Sequence, residues 1–299
     1  MLKGRLGLET ARVPYRDRDG LLYLSKGALT SRDGTLVFSK KESDEGDALC
    51  SGNYAIPIQG ISMIMLGPGS TVSHDALRLL AGARTALSAV GEDGVRFYTA
   101  PPLIANRSGL ARNQARAWAD NNLRLLIARK MYAWRLGEVL PHKSIEALRG
   151  IEGIRMKESY RQIARKIDIE WRGRHYDRKN PEKTDFPNQA LNHASSAVEG
   201  AAAIAVSATA TIPQLGFLHE DPGQSFVLDI SDLYRDSVII PCAFRSVKTM
   251  GEQTEMNIER VTRRLTGTEI ARKKIIPAMI ERIKALFSEI QEKEITKFP

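Results

Sequence analysis

The hydrophobic period of this chain changes once, at Pro101-Pro102, and that change constrains the fold more than any single motif. Before it, apolar residues come in short runs separated by turn residues, the pattern of paired strands. In LLYLSKGALTSRDGTLVFSK two such runs meet at Asp33-Gly34, a hairpin signature. AIPIQGISMIML supplies more strand, and ALSAVGEDGVRFYTA repeats the hairpin pattern around Asp93-Gly94. Between them STVSHDALRLLAGA reads as a short helix capped by Ser73. Gly67-Pro68-Gly69-Ser70 lacks the lysine and spacing of a phosphate loop and reads as a turn.

Beyond Pro101-Pro102 the period is helical almost to the end. Ala119, Leu123, Ile127, Met131 and Trp134 share one face, which predicts a core stripe. Arg112, Arg116, Arg124 and Arg135 fall largely off it, as a solvated face or a phosphate track. PNQALNHASSAVEGAAAIAVSATA is alanine-rich enough for close packing and is expected at the centre of a helical bundle. The fold class is therefore α+β. A β-rich N-terminal domain spans residues 1–101 and an α-helical domain spans 102–299, with a short charged tail, SEIQEKEITKFP.

Two places put carboxylates where apolar residues belong. A helix from Ser144 to about Ile167 carries Ile145, Leu148, Met156, Tyr160 and Ile163 on one side, and Glu152 falls in the same arc. Such a carboxylate needs a cation, a donor or a metal. A salt bridge to an arginine such as Arg149 or Arg155 and a metal site both answer that need, and Gly150 and Gly153 leave room beside it. The second place is HEDPGQSFVLDISDLYR, where SFVLDI runs into Asp229 and Asp232. With a helix starting near Asp229 the two carboxylates share a face, and Asp229 is either its N-cap or part of a metal site. One imidazole, His219, with several carboxylates suits manganese or magnesium better than structural zinc. His74, His142, His175 and His193 have no comparable company.

Composition narrows the class. Lys and Arg number 44 against 35 Asp and Glu, a net charge of +9 that favours polyanions. No apolar run approaches the ~20 residues of a membrane-spanning helix. The N-terminus, MLKGRLGLETARVPYRDRDG, lacks a signal-peptide core, so a cytoplasmic location and no membrane partner are expected. Cys50 and Cys242 fit neither a disulfide framework nor a zinc-cysteine site and read as ordinary thiols.

Taken in order, GARTALSAVGEDGVRFY, SIEALRGIEGIRMKESY, WRGRHYD at 171–177 and GFLHEDPGQSFVLDISDLYR resemble the CRISPR adaptation integrases, the CRISPR-associated protein one family, and look closest to its subtype I-E branch. The resemblance runs from about residue 20 to 270; GIEG with a downstream histidine and D-x-x-D carries it. It implies a homodimer, two of which flank a dimer of a small second CRISPR adaptation protein. The implied activity is insertion of spacer DNA into a CRISPR array, with Mg2+ or Mn2+. The 3′-hydroxyl of a double-stranded fragment attacks a phosphodiester of the repeat DNA, with no covalent enzyme intermediate. By resemblance Glu152, His219 and Asp232 are the metal ligands, and Asp229 is the acidic residue that orients them. Arg78, Arg96, Arg149, Arg174 and Arg235 match DNA-holding positions.

The chain departs from the pattern where relatives carry a fork-wedging tyrosine, with Lys26 there and Tyr23 nearby. It also has Glu220, Asp221 and Pro222 where relatives carry a lysine after the histidine. A repair nuclease acting on branched DNA and a non-catalytic DNA-binding scaffold are the alternatives. Under the metal reading, Asp229→Asn and Asp232→Asn are expected to abolish strand transfer while sparing the fold.

Overall fold

In the computed structural model the described residues are 21–41, 50–83, 85–99, 108–138, 144–175, 184–220, 223–251 and 257–288. Pro101-Pro102, His142, Tyr176-Asp177, Asp221-Pro222 and the C-terminal tail lie outside them. The chain divides into two compact units, residues 1–107 and 108–299.

Among the described residues the first unit carries two four-stranded sheets. One has the order β1 (Leu21–Leu24), β5 (Met63–Leu66), β7 (Ala86–Val90), β8 (Phe97–Thr99). Its first three strands run parallel, and β5, MIML, is buried throughout, as expected of a strand covered on both faces. The antiparallel β7–β8 pair encloses the turn Glu92–Gly94, which makes the second expected hairpin. The other sheet has the order β4 (Gly52–Ile56), β3 (Thr35–Lys40), β2 (Ala28–Arg32), β6 (Thr71–Val72). Its β2–β3 hairpin turns at Asp33 and Gly34, with φ of 49° and 75°, the left-handed pair that a two-residue turn requires. Helix α1 (His74–Ala83) is capped by Ser73, whose Oγ accepts the Ala76 N–H at 3.2 Å. Its Ala76 and Leu80 join Leu29, Phe38 and Ile64 in the core.

The second unit is helical: α2 (Gly109–Ala119), α3 (Asn121–Leu136), α4 (Ile145–Ile167), α5 (Phe186–Thr209), α6 (Ser225–Asp232), α7 (Ile240–Gly251), α8 (Ile258–Arg272) and α9 (Ile275–Ser288). The alanine-rich segment is α5, packed against α6, α7, α8 and α9 as the central helix of the bundle. The stripe expected from Ala119 to Trp134 is interrupted. Asp120 is extended and caps α3 through the Asn122 and Leu123 N–H groups, which leaves Ala119 exposed at the end of α2. Ile127 and Met131 are core, with Ala128 and Tyr132 beside them. No helix among the described residues is long and apolar enough to cross a membrane.

Candidate active site

Helix α4 is capped by Ser144, whose side chain accepts the Ala147 N–H, and buries Leu148, Met156, Tyr160 and Ala164. Glu152 lies in that stripe, and the cation that meets it comes from another helix. Arg135 Nη1 on α3 is 2.6 Å from Glu152 Oε1, and the Tyr132 hydroxyl donates to Oε2 at 2.9 Å. Arg149 and Arg155, the nearer arginines in sequence, are used elsewhere: Arg149 donates to the Leu218 carbonyl and Arg155 to Glu138. Around Gly150 and Gly153 an added Cβ would meet nothing within 4 Å, so no backbone fills the room expected there.

Helix α6 starts at Ser225, four residues before Asp229, so Asp229 is not its N-cap. The 0% exposed Asp229 instead receives the loop ahead of the helix. Its Oδ2 accepts from Phe217 N at 2.5 Å and Leu218 N at 3.1 Å. Its Oδ1 takes His219 N at 2.9 Å and lies 2.8 Å from His219 Nδ1. The loop can fold this tightly because position 216 is glycine; a Cβ there would overlap the His219 carbonyl oxygen and come within 2.7 Å of Ser225 Cβ. Phe217 anchors the loop from beneath, 6.1 Å from Phe226 and 5.9 Å from Phe287 between ring centroids.

One turn on, at the end of α6, Asp232 Oδ2 is 3.9 Å from His219 Nε2 and 3.7 Å from Arg135 Nη1. Its Oδ1 accepts from Arg235 Nη2 at 2.7 Å. Arg235 opens a π-turn, Arg235–Ile239, an irregularity that recurs at functional sites. Arg135 Nε is 3.7 Å from Asp236 Oδ2, and Asp236 in turn accepts from Ser159. Glu152 and Asp232, from two helices, thus meet at the Arg135 guanidinium, whose side chain is 2% exposed, and His219 joins them through Asp232 with Asp229 behind it.

The charges act on one another. The Asp229 hydrogen bond lifts the His219 imidazole above its ordinary value; burial opposes this, and Asp229, Asp232 and Glu152 add to it. Burial pushes the Tyr132 phenol up, and the Glu152 carboxylate pushes it further. Burial works most strongly against the Arg235 cation, but Asp232, Tyr160 and Glu152 together outweigh it and the net shift is upward. Glu199 on α5 is raised by burial and then by Asp232, with Arg235 and His219 pulling the other way.

The donor set fits a hard divalent cation. With Nδ1 committed to Asp229, His219 presents Nε2, an arrangement typical of metal-ligating histidines, and Glu152 and Asp232 add oxygen donors. Among the described residues no three of these side chains close into a formed metal cluster, since Arg135 stands between Glu152 and Asp232.

Arg135 is a correction to the sequence reading, which puts it on a solvated face or a phosphate track. On a helix it falls four residues after Met131 and seven after Ala128, inside the buried arc. Tyr132 and Glu199 carry no expectation either. Yet Glu199 is the one charged residue among the alanines of α5, and that isolation is a readable signal.

The basic residues are less uniform. Arg235 belongs to the cluster, and Arg149 borders it through Leu218. Arg174 donates to Asn188 Oδ1 at 3.0 Å and Asn192 Oδ1 at 2.7 Å, at the start of α5. Arg78 and Arg96 are exposed on the first unit, Arg78 beside Asp75 at 3.2 Å. His175 is exposed, and His74 opens α1. Cys50 is exposed, while Cys242 is buried and its thiol is pushed up to about 11 by burial first and Glu269 second, which keeps it neutral.

Comparisons with known proteins give the family. The family profile for CRISPR associated protein Cas1 matches residues 21–140 and 134–281. The chain is 35% identical over 270 residues to CRISPR-associated endonuclease Cas1 3 of Methanospirillum hungatei, covering 90% of this chain and 88% of that one. It is 35% identical over 280 residues to CRISPR-associated endonuclease Cas1 of Escherichia coli K12, covering 93% and 88%. Among solved structures, a TtCas1–DNA complex matches with a TM-score of 0.80 and 33% identity, over 91% of this chain and 97% of that one. A casposase bound to its integration product, 16% identical with a TM-score of 0.63, shares the fold. The chain belongs to the CRISPR associated protein Cas1 family.

Proposed function

We propose that this chain is a metal-dependent DNA endonuclease and integrase. In this reading it inserts new spacers into a CRISPR array by attack of a 3′-hydroxyl on a repeat phosphodiester. The observation that carries the proposal is the convergence of Glu152, His219 and Asp232 with Asp229 holding His219 from behind. Those three residues would hold Mg2+ or Mn2+, which when bound polarises the phosphoryl oxygen and stabilises the leaving oxyanion. Asp229 fixes the imidazole orientation and keeps Nε2 turned toward Asp232. Arg135 and Tyr132 hold the Glu152 carboxylate in place. Arg235, paired to Asp232 and partly exposed, is placed to meet a phosphate beside the cluster.

The family supports DNA as the partner, specifically a duplex fragment with free 3′ ends and the CRISPR repeat. Arg78, Arg96, Arg149, Arg174 and Arg235 are the proposed DNA contacts, and the β-rich N-terminal domain contributes dimerisation as well. Attack at both ends of a repeat calls for two homodimers spaced by a dimer of a small second adaptation protein.

The test incubates the chain and that small protein with a 3′-hydroxyl duplex and a supercoiled array plasmid, across a manganese titration. Joined product that disappears with chelator is the expected result. Product that is cut but never joined would return the reading to a nuclease.

A further inference from the structure

Outside the acidic cluster, one carboxylate oxygen is shared by two arginines from different helices. Arg124 Nη2 on α3 lies 2.6 Å from Glu220 Oε1, and Arg149 Nη2 on α4 lies 3.4 Å from the same atom. The Arg124 guanidinium is set over the Trp118 ring at 5.7 Å, and its Nε is buried with no hydrogen-bond partner. Arg149 also donates to the Leu218 carbonyl, which ties it to the loop that carries His219. Glu220 follows His219 directly, and its side chain is 50% exposed.

Two guanidiniums converging on one anionic oxygen form the recognition geometry of a phosphodiester. Arginine 124 is already stacked and oriented, so little side-chain freedom remains to be lost when an anion arrives. The half-exposed Glu220 can swing into solvent while both arginines stay on their helices. We propose that Arg124 and Arg149 form a phosphate subsite for the DNA backbone beside His219, and that Glu220 is a tethered anion that competes for it. Backbone phosphate entering the subsite displaces Glu220, so DNA affinity there is lower than the two arginines alone would provide. This inference rests on DNA being the partner, as proposed above, but not on strand joining.

The test is fluorescence anisotropy with a labelled duplex and the full chain in chelator, over a salt titration. Glu220→Gln is expected to tighten binding about fivefold and to steepen the log-log salt slope by about one. Glu220→Ala should do the same, which guards against a specific defect of the amide. Glu138→Gln, an equal change in net charge at the exposed partner of Arg155, should leave affinity nearly unchanged. On an Arg124→Ala background the gain from Glu220→Gln should fall by more than half. No gain from either Glu220 variant, an equal gain from Glu138→Gln, or an undiminished gain without Arg124 would each overturn the subsite. Joining by the wild type with no gain from Glu220→Gln sinks the subsite alone. A gain with no joining by the wild type sinks the integrase reading and leaves the subsite standing.

Discussion

Two acid-arginine pairs in the helical unit look alike on paper and behave differently. Asp232–Arg235 and Glu269–Arg272 are both spaced three residues apart, and the acids are 11% and 12% exposed. Glu269 draws its cations from its own stretch of chain, Arg272 and Lys273, at 2.8 Å each. Those bonds hold its carboxyl well down, at about 2: the Arg272 hydrogen bond is the largest cause, and burial opposes it. Asp232 shares its space with Arg135 of α3, Glu152 of α4, the His219 loop and Glu199 of α5. Burial alone therefore does not single out a candidate site acid. What marks it is a crowd of ionisable groups from separate elements, because bringing like charges together costs free energy that local pairing would avoid.

The comparison breaks most sharply under Asp232→Asn. Metal-dependent strand joining is expected to fall by about a hundredfold or more, while Glu269→Gln leaves it unchanged; gel-resolved transfer decides. Equal activity of the two variants would erase the distinction.

Next in size is Arg135→Met, which strips a buried cation from between two carboxylates. A loss of about 3 kcal/mol is expected in denaturant unfolding. Manganese should restore part of it in the variant and less in the wild type, and a variant insensitive to manganese would separate Arg135 from the metal ligands.

Asp229→Asn follows, and here the structure changes the expectation that the fold is spared. Asp229 accepts three backbone N–H groups and sits on His219 Nδ1, and an amide nitrogen cannot replace an accepting oxygen. A destabilisation of about 2 kcal/mol is expected along with lost joining. Wild-type stability in this variant would show that the 217–219 loop is held by other contacts.

The smallest effect belongs to Glu269. Its folded-state pKa lies below its ordinary value of 4.5, so its stabilisation is present above that pH and lost as pH falls toward about 2. Glu269→Gln should be slightly less stable than wild type at neutral pH, with the two acid-unfolding curves merging across that window. Curves that stay apart below it would assign the contribution to another group.

Much of this was open to reading in the linear chain. The period change, the Asp33-Gly34 hairpin, the Ser73 cap, the helix start at Ser144 and the buried α5 all follow from interactions within a few residues, and sequence spacing records such interactions directly. Glu152 stood out because a carboxylate in an apolar stripe violates the helix's own pattern. The partners did not stand out. Arg135 meets Glu152 across 17 positions and Glu220 meets Arg124 across 96, and no periodicity encodes which distant cation closes on a buried anion. Asp229 looked like a candidate cap because caps are local, whereas it serves a loop ten to twelve residues upstream that only the packing of Phe217 on Phe226 and Phe287 brings back to it. The sequence by itself determined which side chains had to find a partner. The tertiary structure decided which partner each one found, since burial sets the cost of a lone charge but only long-range packing supplies the group that meets it.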